Sequence, residues 1–75
     1  MSRRYKKLNA DDWIGEIIST KSLERGVKIQ LVDDVFLAFI NTKVPKGTVV
    51  TLINNRGEFE VRGERYYAKR GIVLK

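Results

Sequence analysis

Apolar and polar side chains alternate along much of this chain, most clearly from Val44 to Val61. That stretch reads Val-Pro-Lys-Gly-Thr-Val-Val-Thr-Leu-Ile-Asn-Asn-Arg-Gly-Glu-Phe-Glu-Val. Thr48–Ile53 is rich in Val, Thr and Ile, which suit a pleated, half-buried surface. Beyond Asn54-Asn55-Arg56-Gly57, Phe59 and Val61 alternate with Glu58, Glu60 and Arg62. The second run therefore has one dry and one wet face. The pattern predicts two strands joined by a loop of about four residues, a β-hairpin. Pro45 lacks a backbone donor and Gly47 tolerates unusual backbone angles. Val44-Pro45-Lys46-Gly47 thus reads as a turn ahead of the first of these strands.

The remaining elements are shorter. Asn9-Ala10-Asp11-Asp12 suits either one helical turn or a plain turn, and the plain turn is favoured. Trp13–Ser19 predicts a strand in which Gly15 marks a bulge or a sharp bend. Thr20–Gly26 predicts a polar connector, either an ordinary exposed link or a binding loop. Val27–Val32 alternates most cleanly, with Val27, Ile29 and Leu31 directed inward. Asp33-Asp34 predicts a turn. Val35–Ile40 is a continuous apolar run with turn signals on both sides. Its shortness favours a strand, buried on both faces or near a barrel seam, over a helix. Gly63-Glu64 predicts a turn, and Tyr66–Leu74 a last strand with Ile72 and Leu74 on one face and a break at Gly71. Trp13, Phe36, Phe39 and Phe59 are expected in the core, because a small domain can spare few large apolar side chains.

These elements amount to about five or six short strands with a turn roughly every ten residues, an all-β pattern. A sheet of this kind must cover its edges, and closure is the economical way to do so. The expected fold is a small five- to six-stranded OB-like barrel, with an SH3-like barrel as the alternative. Residues 1–8 read as a basic flexible arm and residues 9–75 as a single small domain.

Composition narrows the chemistry. The chain has 75 residues and contains neither Cys nor His. Disulfides and the usual zinc sites are thereby excluded, as are the familiar nucleophile–base pairs. Asp11-Asp12 and Asp33-Asp34 are adjacent carboxylates, which on a strand point apart and in a turn are solvated. No phosphate-binding glycine loop occurs. The expectation is a protein that is not an enzyme and carries no cofactor. No apolar run is long enough for a membrane span or a signal peptide, which points to a cytoplasmic protein.

Charge adds a partner class. The formal net charge is +6, and its excess lies at the two ends. Residues 1–7 carry Arg3, Arg4, Lys6 and Lys7 and no acid; residues 61–75 carry Arg62, Arg65, Lys69, Arg70 and Lys75 against Glu64 alone. The middle of the chain is slightly acidic. Such asymmetry suggests a polyanion, most simply nucleic acid. Single-stranded nucleic acid sites combine a basic groove with aromatic rings on which bases stack. Arg62-Gly63-Glu64-Arg65-Tyr66-Tyr67-Ala68-Lys69-Arg70 offers that mixture, and Arg3-Arg4-Tyr5-Lys6-Lys7 repeats it. Tyr66 and Tyr67, as strand neighbours, should face opposite ways, so at most one lies outside. The candidate nucleic-acid-binding residues are Arg3, Arg4, Lys6, Lys7, Arg62, Arg65, Tyr66, Tyr67, Lys69 and Arg70.

Residues 15–61 also carry a spacing pattern. Gly15 opens the first strand, Leu23 and Gly26 precede the second, and Ala38 falls in the third. Lys46 to Gly57 reads Lys-Gly-x-x-Val-x-Leu-x-x-x-x-Gly. In this the chain resembles the soluble OB-fold domain of NfeD-type proteins. Its layout is also similar to the S1-like OB folds of translation initiation factors. The first resemblance implies a protein-interaction module acting with stomatin-type membrane partners. The functional expectation is a binding module for RNA or single-stranded DNA, tolerant of sequence. The alternative is a protein–protein interaction or assembly module using a barrel edge strand, by pairing with a partner or with itself.

Overall fold

A computed structural model describes residues 8–37 and 41–75. The fold is mostly β, with no α-helix among the described residues. Eight short strands are present there: β1 (Ile17–Ser19), β2 (Lys28–Leu31), β3 (Val35–Leu37), β4 (Thr42–Val44), β5 (Val49–Thr51), β6 (Glu58–Val61), β7 (Glu64–Tyr67) and β8 (Arg70–Val73). They form open antiparallel sheets. One has four strands in the order β1-β8-β2-β5, and two are hairpins, β3-β4 and β6-β7. No described sheet closes on itself.

The inner face of the four-stranded sheet carries the core. Ile29 lies between Val73 and Val50, and Leu31 faces Gly71. With Leu23, Val44, Leu52, Phe59, Tyr66 and Ala68 these side chains make one buried cluster. Ile29 and Leu31 face inward as the alternation predicts, and Val27 is partly buried beside them. Phe59 is fully buried, as expected.

Several expectations need correction. Trp13–Ser19 is not one strand: Trp13–Gly15 forms a turn and the strand begins at Ile17. Trp13 consequently stands 38% exposed, outside the core. Ala10–Asp12 is a turn of 3-10 helix capped by Asn9, whose side-chain oxygen accepts from the Asp11 N–H. Of the run Val35–Ile40, Val35–Leu37 is a strand as expected but is not buried on both faces, and residues 38–40 lie outside the described residues. Phe36 is 58% exposed, while Val35 and Leu37 turn partly inward. Phe39 lies outside the described residues.

The hairpin predicted around Asn54–Gly57 is present only in part. Leu52 and Phe59 form an isolated bridge, but β5 makes its ladder with β2 and β6 makes its own with β7. Asn54 organises the turn between them: its side-chain oxygen accepts from the Arg56 N–H at 2.9 Å. The following turn is Arg62-Gly63, one residue earlier than expected. Both residues have positive φ, 54° and 82°, the conformation of a tight two-residue hairpin loop.

The predicted last strand is two strands in different sheets, β7 and β8, separated at Ala68-Lys69. The chain switches sheets there because other segments take up its backbone. Ala68 N–H donates to the Gly57 carbonyl at 2.9 Å, and the Lys69 carbonyl accepts from Thr20 N–H at 3.0 Å. The buried face of β8 is Gly71 and Val73, not Ile72 and Leu74. Gly71 faces Ile29 so closely that an added Cβ would fall 2.7 Å from the Ile29 Cδ1. The absent side chain is what lets the ladder close over the core.

The Thr20–Gly26 connector is not simply exposed. It contains a 3-10 turn, Thr20–Ser22, and both Thr20 and Leu23 are fully buried.

Candidate nucleic-acid interface

β7 sorts the two neighbouring tyrosines. Tyr66 turns inward and is only 6% exposed. Its ring stacks on Phe59, its partner across the hairpin, with centroids 5.5 Å apart and planes 14° apart. Its hydroxyl lies 3.0 Å from that of Thr42, joining β7 to β4. Such a ring is a core side chain and is closed to a base. Tyr67 faces outward at 42% exposure.

Tyr67 stands between two shallow grooves. One is lined by Ile17, Ser19, Lys21, Lys69 and Arg70 together with Tyr67. The other is lined by Asp33, Asp34, Val35 and Phe36, again with Tyr67, Lys69 and Arg70. Two aromatic rings, Tyr67 and Phe36, are thus open on a surface that also carries three cations. Ile17 adds apolar area beside them. On the outer face of β3-β4, Phe36 pairs across the strands with Lys43.

The cations differ in their surroundings. Arg70 is engaged by Asp33: Nε donates to Oδ2 at 3.0 Å and Nη2 to Oδ1 at 3.3 Å. Chiefly through this hydrogen bond, the Arg70 guanidinium holds the Asp33 carboxyl below its ordinary range. Asp34 accepts from Lys46 N–H at 2.8 Å and lies 3.9 Å from the Lys43 ammonium. Arg65 shares the outer face of β7 with Tyr67, but its Nη1 is 3.6 Å from Glu58 and its cross-strand neighbour is Glu60. Arg62 sits in the β6-β7 turn and lines a different groove, with Thr42, Pro45 and Glu64. The basic segment 62–70 therefore divides: Tyr67, Lys69 and Arg70 come together, while Arg62 and Arg65 do not join them.

Arg3, Arg4, Lys6 and Lys7 lie outside the described residues. The chain enters the described structure at Leu8, whose N–H donates to the Ser22 carbonyl at 2.8 Å. That contact is one residue from Lys21.

Phe36, Ile17, Ser19 and Lys21 were not singled out from the sequence as site residues. Lys21 falls in the connector read as a possible binding loop, so that signal was available. Phe36 gave none, because an uninterrupted apolar run has no period to show which side chain faces out. Among the described residues no group of three or more Asp or Glu side chains could hold a metal ion. No helix of the described residues is long and apolar enough to cross a membrane. No family model, curated protein or solved structure matches this chain.

Proposed function

We propose that this protein is a non-enzymatic binding module for RNA or single-stranded DNA, tolerant of sequence and acting in the cytoplasm without a cofactor. The observation that carries the reading is the position of Tyr67, exposed between a groove bearing Lys21, Lys69 and Arg70 and one bearing Phe36. Aromatic faces accept any base, and neighbouring cations follow the sugar–phosphate backbone. Arg3, Arg4, Lys6 and Lys7 precede Leu8 in the chain, and in this proposal their charge adds to the attraction for a polyanion. Arg62 and Arg65 serve at most its margin. In this proposal the three sheets are parts of one OB-like barrel. Its support is the Leu52–Phe59 bridge between β5 and β6 and the packing of β3 beside β7.

The test is titration of a labelled single-stranded oligonucleotide over a range of salt. Binding should weaken with salt, and Lys69→Gln should lower the log–log slope by ~0.7, the loss of one phosphate contact on a single strand. Absence of binding by the wild type at low salt would remove the reading.

One observation favours a second reading, a protein-interaction or assembly module. Ile17, Ile72, Gln30 and Val49 form one row across the outer face of the four-stranded sheet. Ile17 and Val49 are exposed there. The resemblance to NfeD-type domains points the same way. Sedimentation at increasing concentration separates self-association through that row from a monomer.

A further inference from the structure

Arg70 is unlike an ordinary phosphate contact. Its Nε and Nη2 are both committed to the carboxylate of Asp33. The pair carries little net charge, so a phosphate arriving there would meet an anion as well as a cation. The two-pronged bond also fixes the plane of the guanidinium. The Arg70 side chain is about half exposed and borders both grooves that meet at Tyr67. Guanidinium planes stack on nucleobases much as aromatic rings do. The neighbouring Lys69 has no ion-pair partner within 4 Å among the described residues.

We propose that Arg70 is a stacking surface rather than a phosphate contact, held flat by Asp33 so that a base lies across its guanidinium beside Tyr67. Lys69 then takes the phosphate. Asp33 is a positioning residue that sets the plane of the plate without touching the ligand. This role rests on the nucleic-acid reading above and assigns one of its residues a task that charge alone does not predict.

The experiment follows the anisotropy of a fluorescein-labelled single-stranded DNA of mixed sequence, over a salt series, with full-length wild type and three variants. Arg70 and Asp33 are both exposed, so the variants should fold, and circular dichroism checks that they do. Arg70→Gln should weaken binding by roughly 5- to 150-fold with the salt slope unchanged, because stacking releases few counterions. Arg70→Lys should weaken it about as much, since an ammonium keeps the charge and loses the plane. Asp33→Asn should also weaken binding, at an unchanged slope, by releasing the plate. Three results would overturn the role. Arg70→Lys binding like wild type is one, and a slope lowered by ~0.7 in Arg70→Gln is another. The third is tighter binding with a steeper slope in Asp33→Asn, which would make Asp33 a competitor for a phosphate-binding arginine. A wild type that fails to bind removes the underlying reading and this role with it.

Discussion

The hydroxyl of Thr20 occupies the space that a side chain on Gly57 would need. A Cβ built on Gly57 would collide with the Thr20 Oγ1 and fall 2.9 Å from the Ala68 carbonyl. Gly57 also has φ of +86°, a conformation other residues adopt at a cost. Thr20 is fully buried and donates its hydroxyl to the Ala68 carbonyl, with the Lys69 carbonyl 3.2 Å away. Gly57→Ala should therefore destabilise the fold by about 2–4 kcal/mol through crowding and backbone strain. Thr20→Val should cost ~1–3 kcal/mol, because the buried Ala68 carbonyl loses the hydroxyl that donates to it. Urea midpoints at constant m-value measure both. A midpoint unmoved in Gly57→Ala would show that this junction is looser in solution.

The adjacent tyrosines should separate stability from binding. Tyr66→Ala is expected to cost ~3–5 kcal/mol, a large fraction of what a domain this size possesses. Tyr66→Phe should cost about 1 kcal/mol for the hydroxyl shared with Thr42. Tyr67→Ala should stay within about 0.5 kcal/mol of wild type in stability. Its oligonucleotide affinity should fall roughly 5- to 150-fold. Equal loss of stability in the two alanine variants would contradict the inward and outward assignments.

Phe59 and Phe36 make a similar contrast. Phe59→Ala removes a fully buried ring and should cost ~3–5 kcal/mol. Phe36→Ser removes an exposed one and should change the thermal midpoint little, since surface substitutions usually lie within about 0.5 kcal/mol. A large drop for Phe36→Ser would return this residue to the core.

Asp33 should titrate below an ordinary aspartate, and Arg70→Gln should raise it towards the usual range. The ionised carboxylate is the form that accepts both guanidinium bonds. The contribution of the pair is therefore present above the unfolded pKa of about 4 and lost as pH falls through the lower folded value. Carboxyl chemical shifts followed by NMR through the acid range report it directly. An Asp33 titration unaffected by Arg70→Gln would show that the pair does not persist in solution.

Legibility in the sequence followed the strength of local periodicity. Val27–Val32 alternates, and the inward set was readable because β2 is flanked by β5 and β8 in the sheet and packs one face on the core. Val35–Leu37 carries no alternation, so nothing local told Phe36 from its neighbours. The break at Ala68-Lys69 was hidden for a different reason. The groups that capture that backbone come from Thr20 and Gly57, far away in the chain, and residue types at 68 and 69 do not report them. Likewise Arg65 and Arg70 look alike as basic residues, and only the fold brings Glu58 to one and Asp33 to the other. Charge counted along the chain located the basic segment. It did not foresee which cations would gather around an exposed ring.

The position of β8 has a consequence for biosynthesis. This strand, Arg70–Val73, fills the gap between β1 and β2 in the four-stranded sheet. While the chain is made from its N-terminus, β1 and β2 emerge long before the segment that joins them. Until residue 73 is free of the ribosome, the central ladder has no middle, and two strand edges stay open to the wrong partner. A nascent chain stalled before β8 can pair β2 with β5 and form the two hairpins, but β1 has no strand to join.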